Sequence, residues 1–352
     1  MSSEWWRSAV FYQIYVRSFA DSNGDGIGDL DGITAHLDYL NDGTDRSLGI
    51  DAIWLTPINP SPLKDWGYDV SDYCGVHPEL GDLGAFERLI REAGRRGIRI
   101  ILDLVPNHTS DQHRWFNQSR SARNHPRRNW YIWKPGTPER PPNNWLSVFG
   151  GPAWKWDETT QEWYLHLFLA AQPDLNFRNP EVVAAMHEVI RFWLDRGAAG
   201  YRVDVMHALI KDAMFRDNPP LDKVERGSQN DVGFKQKHLY DFDQPEVHRI
   251  IRGFRRVMDE YDDRIIVGEV WPHSINRWRF TCDPTSSSRH SIFASCSVLG
   301  RPRAFAPKSR KSNAFSPPAR GQPGRFRTTI SRGTSRAMSM APAPGREHAW
   351  PQ

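Results

Sequence analysis

Hydrophobic and polar positions along this chain follow two alternating periods. Short runs of β-branched and aromatic residues read as strands at 10–19 (VFYQIYVRSF), 51–57 (DAIWLTP), 98–108 (IRIILDLVPNH), 201–207 (YRVDVMH) and 264–271 (RIIVGEVW). Between them, apolar residues recur at helical spacing. In 29–40, Leu30, Ile33, Leu37 and Leu40 fall on one face. The stretch 83–97 is a second helix that stops at a glycine, and 180–197 and 244–261 are two more. The 98–108 run is almost wholly apolar, as a parallel strand covered on both faces requires. Strand alternating with helix predicts βα units and a parallel sheet, hence an α/β fold.

The rhythm breaks twice. Residues 110–173 are rich in Trp, Pro, Asn and Gly and too long for an ordinary connection. They are predicted to form a small domain inserted after the third strand, with 1–109 and 174–276 as the two parts of the main domain. From residue 277 to 352 periodicity fails, and Ser, Arg and Pro dominate, a composition expected to be disordered. A shift of reading frame near residue 279 accounts for this better than a natural basic tail. Read from the third base of each codon after Arg279, one permitted outcome is IYLRPDELVSAFDFR, a balanced globular stretch.

Charge sharpens the division. From Arg277 onward 14 Lys and Arg face only Asp283 and Glu347, a net +12. The whole chain is +4, so residues 1–276 carry −8. The high pI therefore belongs to the tail, and the acidic remainder suits a neutral substrate rather than nucleic acid. No stretch is apolar enough to span a membrane, and the N-terminus lacks the order of a secretory signal, so a cytoplasmic location is expected. Cys282 and Cys296 lie in the tail, leaving Cys74, read as a buried thiol; no disulfide framework is implied. His113 and His125 are expected at the surface. Most of Trp115, Trp130, Trp133 and Trp145 are expected to pack a core.

Candidate chemistry gathers at strand ends. DLVPNH places Asp103, Asn107 and His108 after the third strand, GYRVDV places Arg202 and Asp204 on the fourth, and IIVGEVW places Glu269 on the fifth. In a parallel barrel the site is built from the C-terminal ends of several strands. Asp204 and Glu269 then stand on strands about 4.8 Å apart, near the separation of about 5–5.5 Å that retaining glycosidases use. Arg202, two residues before Asp204, points to the same side and is expected to keep it ionised. Glu269 must instead hold a proton for the leaving oxygen. Separately, DSNGDGIGDL places Asp21, Asn23, Asp25, the Ile27 carbonyl and Asp29 at alternate positions around glycines, the first half of an EF-hand-like loop suited to Ca²⁺ or Mg²⁺. A structural ion is expected, and no organic cofactor.

The segments DLVPNHTS, QPDLNF, GYRVDV and GEVW resemble four signature segments of the α-amylase family, and QPDLN resembles its oligo-1,6-glucosidase and α-glucosidase subgroup. The resemblance covers about residues 4–278. It implies a (β/α)8 TIM-barrel fold, of which the first five or so βα units are present. It also implies Asp204 as nucleophile, Glu269 as acid/base, and His108, Arg202, Asp65, Tyr68 (from KDWGYDVSDY) and Phe168 (from LHLF) as sugar-binding residues. The implied substrates are short malto- and isomalto-oligosaccharides. Val205 is similar to the residue of α-1,6-cleaving members. The resemblance also implies a structural ion at the 21–29 loop. The family's third acid, in a His-Asp pair after the seventh strand, has no counterpart after Trp278, so a truncated, unstable and inactive chain is expected. Three readings compete with hydrolysis: a trehalose synthase-like transglycosylase, a non-catalytic barrel relative, and nucleic-acid binding through the tail.

Overall fold

The computed structural model describes residues 5–220 and 236–270, together with the backbone of 292–296. The main sheet contains β1 (Phe11–Ile14), β2 (Ala52–Leu55), β3 (Arg99–Leu104), β7 (Gly200–Val203), β8 (Ile265–Val270) and β9 (Ile292–Cys296), adjacent in that order and all parallel. Helices α1 (Leu30–Ala35), α2 (Leu37–Leu40), α3 (Leu83–Arg95), α5 (Pro180–Leu194) and α6 (Val247–Met258) connect the strands. Leu30, Ile33, Leu37 and Leu40 are fully buried with Phe86 and Leu89 of α3, so the apolar stripe read from the sequence is the face that packs. The helices begin where short polar side chains cap them. Asp29 accepts from Gly32 N (2.6 Å) and Asp82 from Ala85 N (2.7 Å), while Asn179 accepts from Glu181 N (2.9 Å) with Pro180 following.

Several elements are shorter than their hydrophobic pattern. The first strand ends at Ile14 rather than running to residue 19, because Gly28 N and Asp29 N bond to the Arg17 and Ala20 carbonyls (2.8 and 2.9 Å) and draw 17–20 into a loop. The 29–40 helix breaks at His36. There the ring Nδ1 donates to the Gly32 carbonyl (2.8 Å), the acceptor that the residue's own backbone N–H would use in a continuous helix. One element exceeds expectation: no strand is predicted beyond 271, yet 292–296 pair with β8, Glu269 standing opposite Ser295. Ladder pairing uses only backbone groups, so a five-residue run needs no wider periodicity to join it. The rest of 277–352 lies outside the described residues.

Between β3 and β7 the chain forms α4 (Arg114–Ser121) and a second, antiparallel sheet, in which β4 (Trp133–Lys134) and β5 (Trp154–Asp157) flank β6 (Glu162–Leu165). Bridges His108–Asp174 and Tyr131–Leu175 tie this region to the end of β3. Trp115, Trp130 and Trp145 are buried, and Trp133 stacks on Phe116 at 5.7 Å. His113, expected at the surface, is buried: its ring accepts from Trp115 N (3.0 Å) to cap α4 and packs on Tyr73. His125 is half-buried and accepts from Arg127 N (3.0 Å). Cys74 is half-buried rather than buried, and desolvation pushes its thiol up from its ordinary value.

Candidate active site

Register puts the acidic residues together. Asp103 pairs with Arg202 across β3 and β7, and Val203 with Gly268 across β7 and β8, so Asp204 and Glu269, one residue further on, leave adjacent strand ends side by side. Gly200 permits the close approach beneath them. Its φ is +151°, and a Cβ there would lie 1.9 Å from the Ile265 carbonyl oxygen. After Asp204 the backbone turns sharply: Val205 adopts φ 37°, ψ 45°, a strained left-handed conformation for a β-branched residue. That turn aims the Val205 N–H at Glu269 Oε2 (3.2 Å).

A single guanidinium joins three carboxylates. Arg202 Nη1 reaches Asp103 Oδ1 at 2.9 Å and Asp204 Oδ1 at 2.6 Å, and Nη2 reaches Glu269 Oε2 at 2.6 Å. Asp103 also accepts from the Tyr68 hydroxyl (3.1 Å) and Trp54 Nε1 (3.3 Å). With every carboxyl ionised the four groups would carry −2 in a buried setting, so the cluster favours holding a proton. Burial pushes Asp103 up to about 6, against the pull of Arg202. Burial, then the charges of Asp103 and Glu269, hold Asp204 well above the carboxylate range although Arg202 pulls it down. This corrects the expectation that Arg202 alone keeps Asp204 ionised: one cation shared among three carboxylates does not offset their desolvation. Burial also opposes the charge on Arg202, but the three carboxylates outweigh it and raise its pKa.

The other predicted residues line the same place. Asp65 Oδ2 accepts from Gln172 Nε2 (2.8 Å), and Gln172 Nε2 lies 3.0 Å from His108 Nε2. Tyr68 touches both groups of residues, through its hydroxyl to Asp103 and its carbonyl to His108 Nε2 (3.2 Å). The Phe168 ring sits 5.1 Å from that of His108. Desolvation lowers His108 to about 4, with Lys211 adding to the effect against Asp174. Burial raises the Asp65 carboxyl. Sequence reasoning missed Trp54, Asp174 and Lys211, and gave Gln172 no role. Gln172 and Asp174 lie within the quoted QPDLNF segment, whereas Lys211 carries no local signal.

The 21–29 loop makes a separate cluster. Asp21 accepts from Asn23 N, Gly24 N and Gly26 N (3.0, 2.7 and 2.8 Å), and the Gly26 bond, then that of Gly24, holds its pKa down. Asp25 accepts from Ile27 N (2.8 Å) and from the Asn23 amide (3.2 Å). Asp29 is committed elsewhere, to Ser22 and to capping α1. Among the described residues no three His, Cys, Asp or Glu side chains gather as a metal cage. Asp21, Asn23 and Asp25 likewise accept bonds from the loop's own N–H groups. No helix among the described residues is long and apolar enough to cross a membrane.

The α-amylase catalytic-domain family model matches residues 13–294. A probable α-glucosidase of Rhizobium meliloti is 49% identical over 272 residues, covering 76% of this chain and 48% of the relative. An oligo-1,6-glucosidase of Parageobacillus thermoglucosidasius is 45% identical over 294 residues, 83% of this chain and 50% of its own length. The crystal structure of an α-glucosyl transfer enzyme superposes with a TM-score of 0.76 at 43% identity, over 83% of this chain and 54% of that one. The chain spans about half the length of the curated relatives it matches. With the family match running through all three strand ends that carry the clustered acids, the chain belongs to the α-amylase family.

Proposed function

We propose that this chain carries the catalytic pair of a retaining α-glucosidase-type hydrolase acting on short malto- and isomalto-oligosaccharides. The observation that carries the reading is the pair Asp204 and Glu269, on adjacent strand ends and bridged by Arg202. Asp204 attacks the anomeric carbon as Glu269 gives its proton to the departing glycosidic oxygen, leaving a covalent glycosyl-enzyme. Water then attacks that carbon, Glu269 takes its proton, and the bond to Asp204 breaks. The first step needs charge on Asp204 and a proton on Glu269, so the proton held by the cluster must sit on Glu269 when sugar is bound. His108, Asp65, Tyr68, Phe168 and Arg202 hold the sugar being cleaved, beside residues 110–173 as an inserted domain. Asp21, Asn23, Asp25 and the Ile27 carbonyl would hold a hard cation, which would supply a structural tie to the loop between β1 and α1.

The test is hydrolysis of a nitrophenyl α-glucoside and of maltose by the 352-residue chain. Turnover should vanish in Asp204→Asn. Turnover unchanged in that variant overturns the assignment. The similarity to an α-glucosyl transfer enzyme favours a second reading, in which a sugar hydroxyl replaces water in the second step. Oligosaccharides or trehalose among the products from maltose, instead of glucose alone, would identify it.

A further inference from the structure

Behind the sugar-facing residues lies a buried polar chain that the chemistry above does not use. Lys211, in the segment after β7, is 3% exposed. Its ammonium donates to Asn107 Oδ1 (2.8 Å) and forms an ion pair with Asp174 Oδ2 (2.7 Å). Asp174 is itself fully buried and accepts from Leu167 N through its other oxygen (3.1 Å). We infer that Lys211 is a positioning residue which, through the Asn107 amide, fixes His108 as the neutral tautomer protonated on Nε2.

An ammonium has only hydrogens to offer, so the atom of the Asn107 amide facing it must be the oxygen. The amide nitrogen then faces His108 Nδ1, at 3.2 Å. A ring nitrogen that receives an N–H must keep its lone pair, so Nδ1 is bare and the single ring proton of the neutral imidazole sits on Nε2. The opposite edge of the ring carries one contact for this tautomer and one against it. Nε2 lies 3.2 Å from the Tyr68 carbonyl, which can only accept. The Gln172 amide, its oxygen accepting from Leu169 N (3.0 Å) and its nitrogen donating to Asp65 (2.8 Å), also places that nitrogen 3.0 Å from Nε2, so the Nε2–H tautomer satisfies two of the three ring contacts and the Nδ1–H tautomer only this one. A second ring proton would point Nδ1–H at the Asn107 amide hydrogens. The chain Asp174–Lys211–Asn107–His108 therefore fixes one protonation state at the edge shared with Asp65 and Gln172. If sugar binds there, as proposed above, its hydroxyl meets a donor; the tautomer itself does not depend on that reading.

The experiment is NMR of the full chain labelled with ¹⁵N-histidine, His108 being assigned by its disappearance in His108→Gln. The wild-type spectrum should show Nδ1 unprotonated and Nε2 protonated. Asn107→Asp replaces the donating amide with an acceptor and should move the proton onto Nδ1, as the other tautomer or the imidazolium, with the fold checked by circular dichroism. Lys211→Met paired with Asp174→Asn avoids stranding a buried charge and frees the Asn107 amide to rotate; it should give a mixture of tautomers. An Nδ1–H tautomer in the wild type overturns the inference, whatever the variants do. So does an unchanged His108 spectrum in a folded Asn107→Asp protein. None of these readouts requires turnover, so an inactive chain bears on the proposed function alone.

Discussion

Arg202 reaches Glu269 at 2.6 Å with one guanidinium nitrogen while the other spans Asp103 and Asp204. Three strand ends are thus held by one cation that is itself mostly buried. Removing one partner from a buried ion network leaves the others uncompensated and costs on the order of 3–5 kcal/mol. Arg202→Met should lower stability by about that amount near pH 7, with a smaller loss near pH 4, where the carboxyls can protonate. Urea melts at the two pH values check it, and an equal loss at both would show that packing rather than charge is what Arg202 supplies.

Asp103 and His108 pull stability in opposite directions with pH. Asp103 is raised from 3.8 to about 6 by burial, so its contribution is full below about pH 4 and lost as pH rises through 6. His108 is lowered from 6.5 to about 4 by burial, so its contribution is full above pH 6.5 and lost as pH falls through 4. The stability gap between wild type and His108→Gln should therefore widen by on the order of 3 kcal/mol from pH 4 to 6.5. The gap to Asp103→Asn should shrink as pH rises over nearly the same interval. Denaturant midpoints across the range test both slopes, and parallel curves would remove the assignment.

Glu269→Gln should separate substrates by leaving group. General acid assistance is worth about 10²–10⁴-fold, and a nitrophenolate needs less of it than a sugar hydroxyl. Hydrolysis of maltose should fall further than that of the nitrophenyl glucoside, whereas Asp204→Asn should abolish both. Equal losses on the two substrates in Glu269→Gln would remove Glu269 from the leaving-group step.

The loop cation is read through melting. Millimolar Ca²⁺ should raise the melting temperature of wild type after chelation, and Asp21→Ala should remove that response. A wild-type melting curve indifferent to both chelator and Ca²⁺ would leave the loop held by its backbone hydrogen bonds alone.

Gly200→Ala tests the contact beneath the site. A Cβ there collides with the Ile265 backbone, so neither strand can yield without shifting β7 against β8. Overpacking of this kind costs about 1–3 kcal/mol, and the shift should depress turnover alongside melting temperature. Wild-type melting in the alanine variant would show that the two strands have slack.

Much of this was legible before any coordinates. The apolar stripe Leu30–Ile33–Leu37–Leu40 and the run ending in Asp103 state their period and burial within a dozen residues. Spacing alone puts Arg202 and Asp204 on one side of a strand. What was not legible depends on partners far away in sequence. Trp54 meets Asp103 across 49 residues and Lys211 meets Asn107 across 104, and no local pattern announces either. His36 breaks a helix because its ring competes for one carbonyl, a choice that hydrophobic periodicity does not record. The balance at Asp204 turned on counting carboxylates around Arg202, which adjacency in sequence undercounts.

That count reaches beyond the acids themselves. A pocket in which three carboxyls share one guanidinium attracts small cations as those carboxyls ionise. A protonated amine with hydroxyls to offer His108 and Asp65 would relieve the surplus without reacting, and would occupy the place of the sugar. Amine buffers should therefore compete with substrate, most strongly where the amine is charged and the carboxyls are not protonated. Kinetics in amine-free buffer are the proper baseline for every variant above.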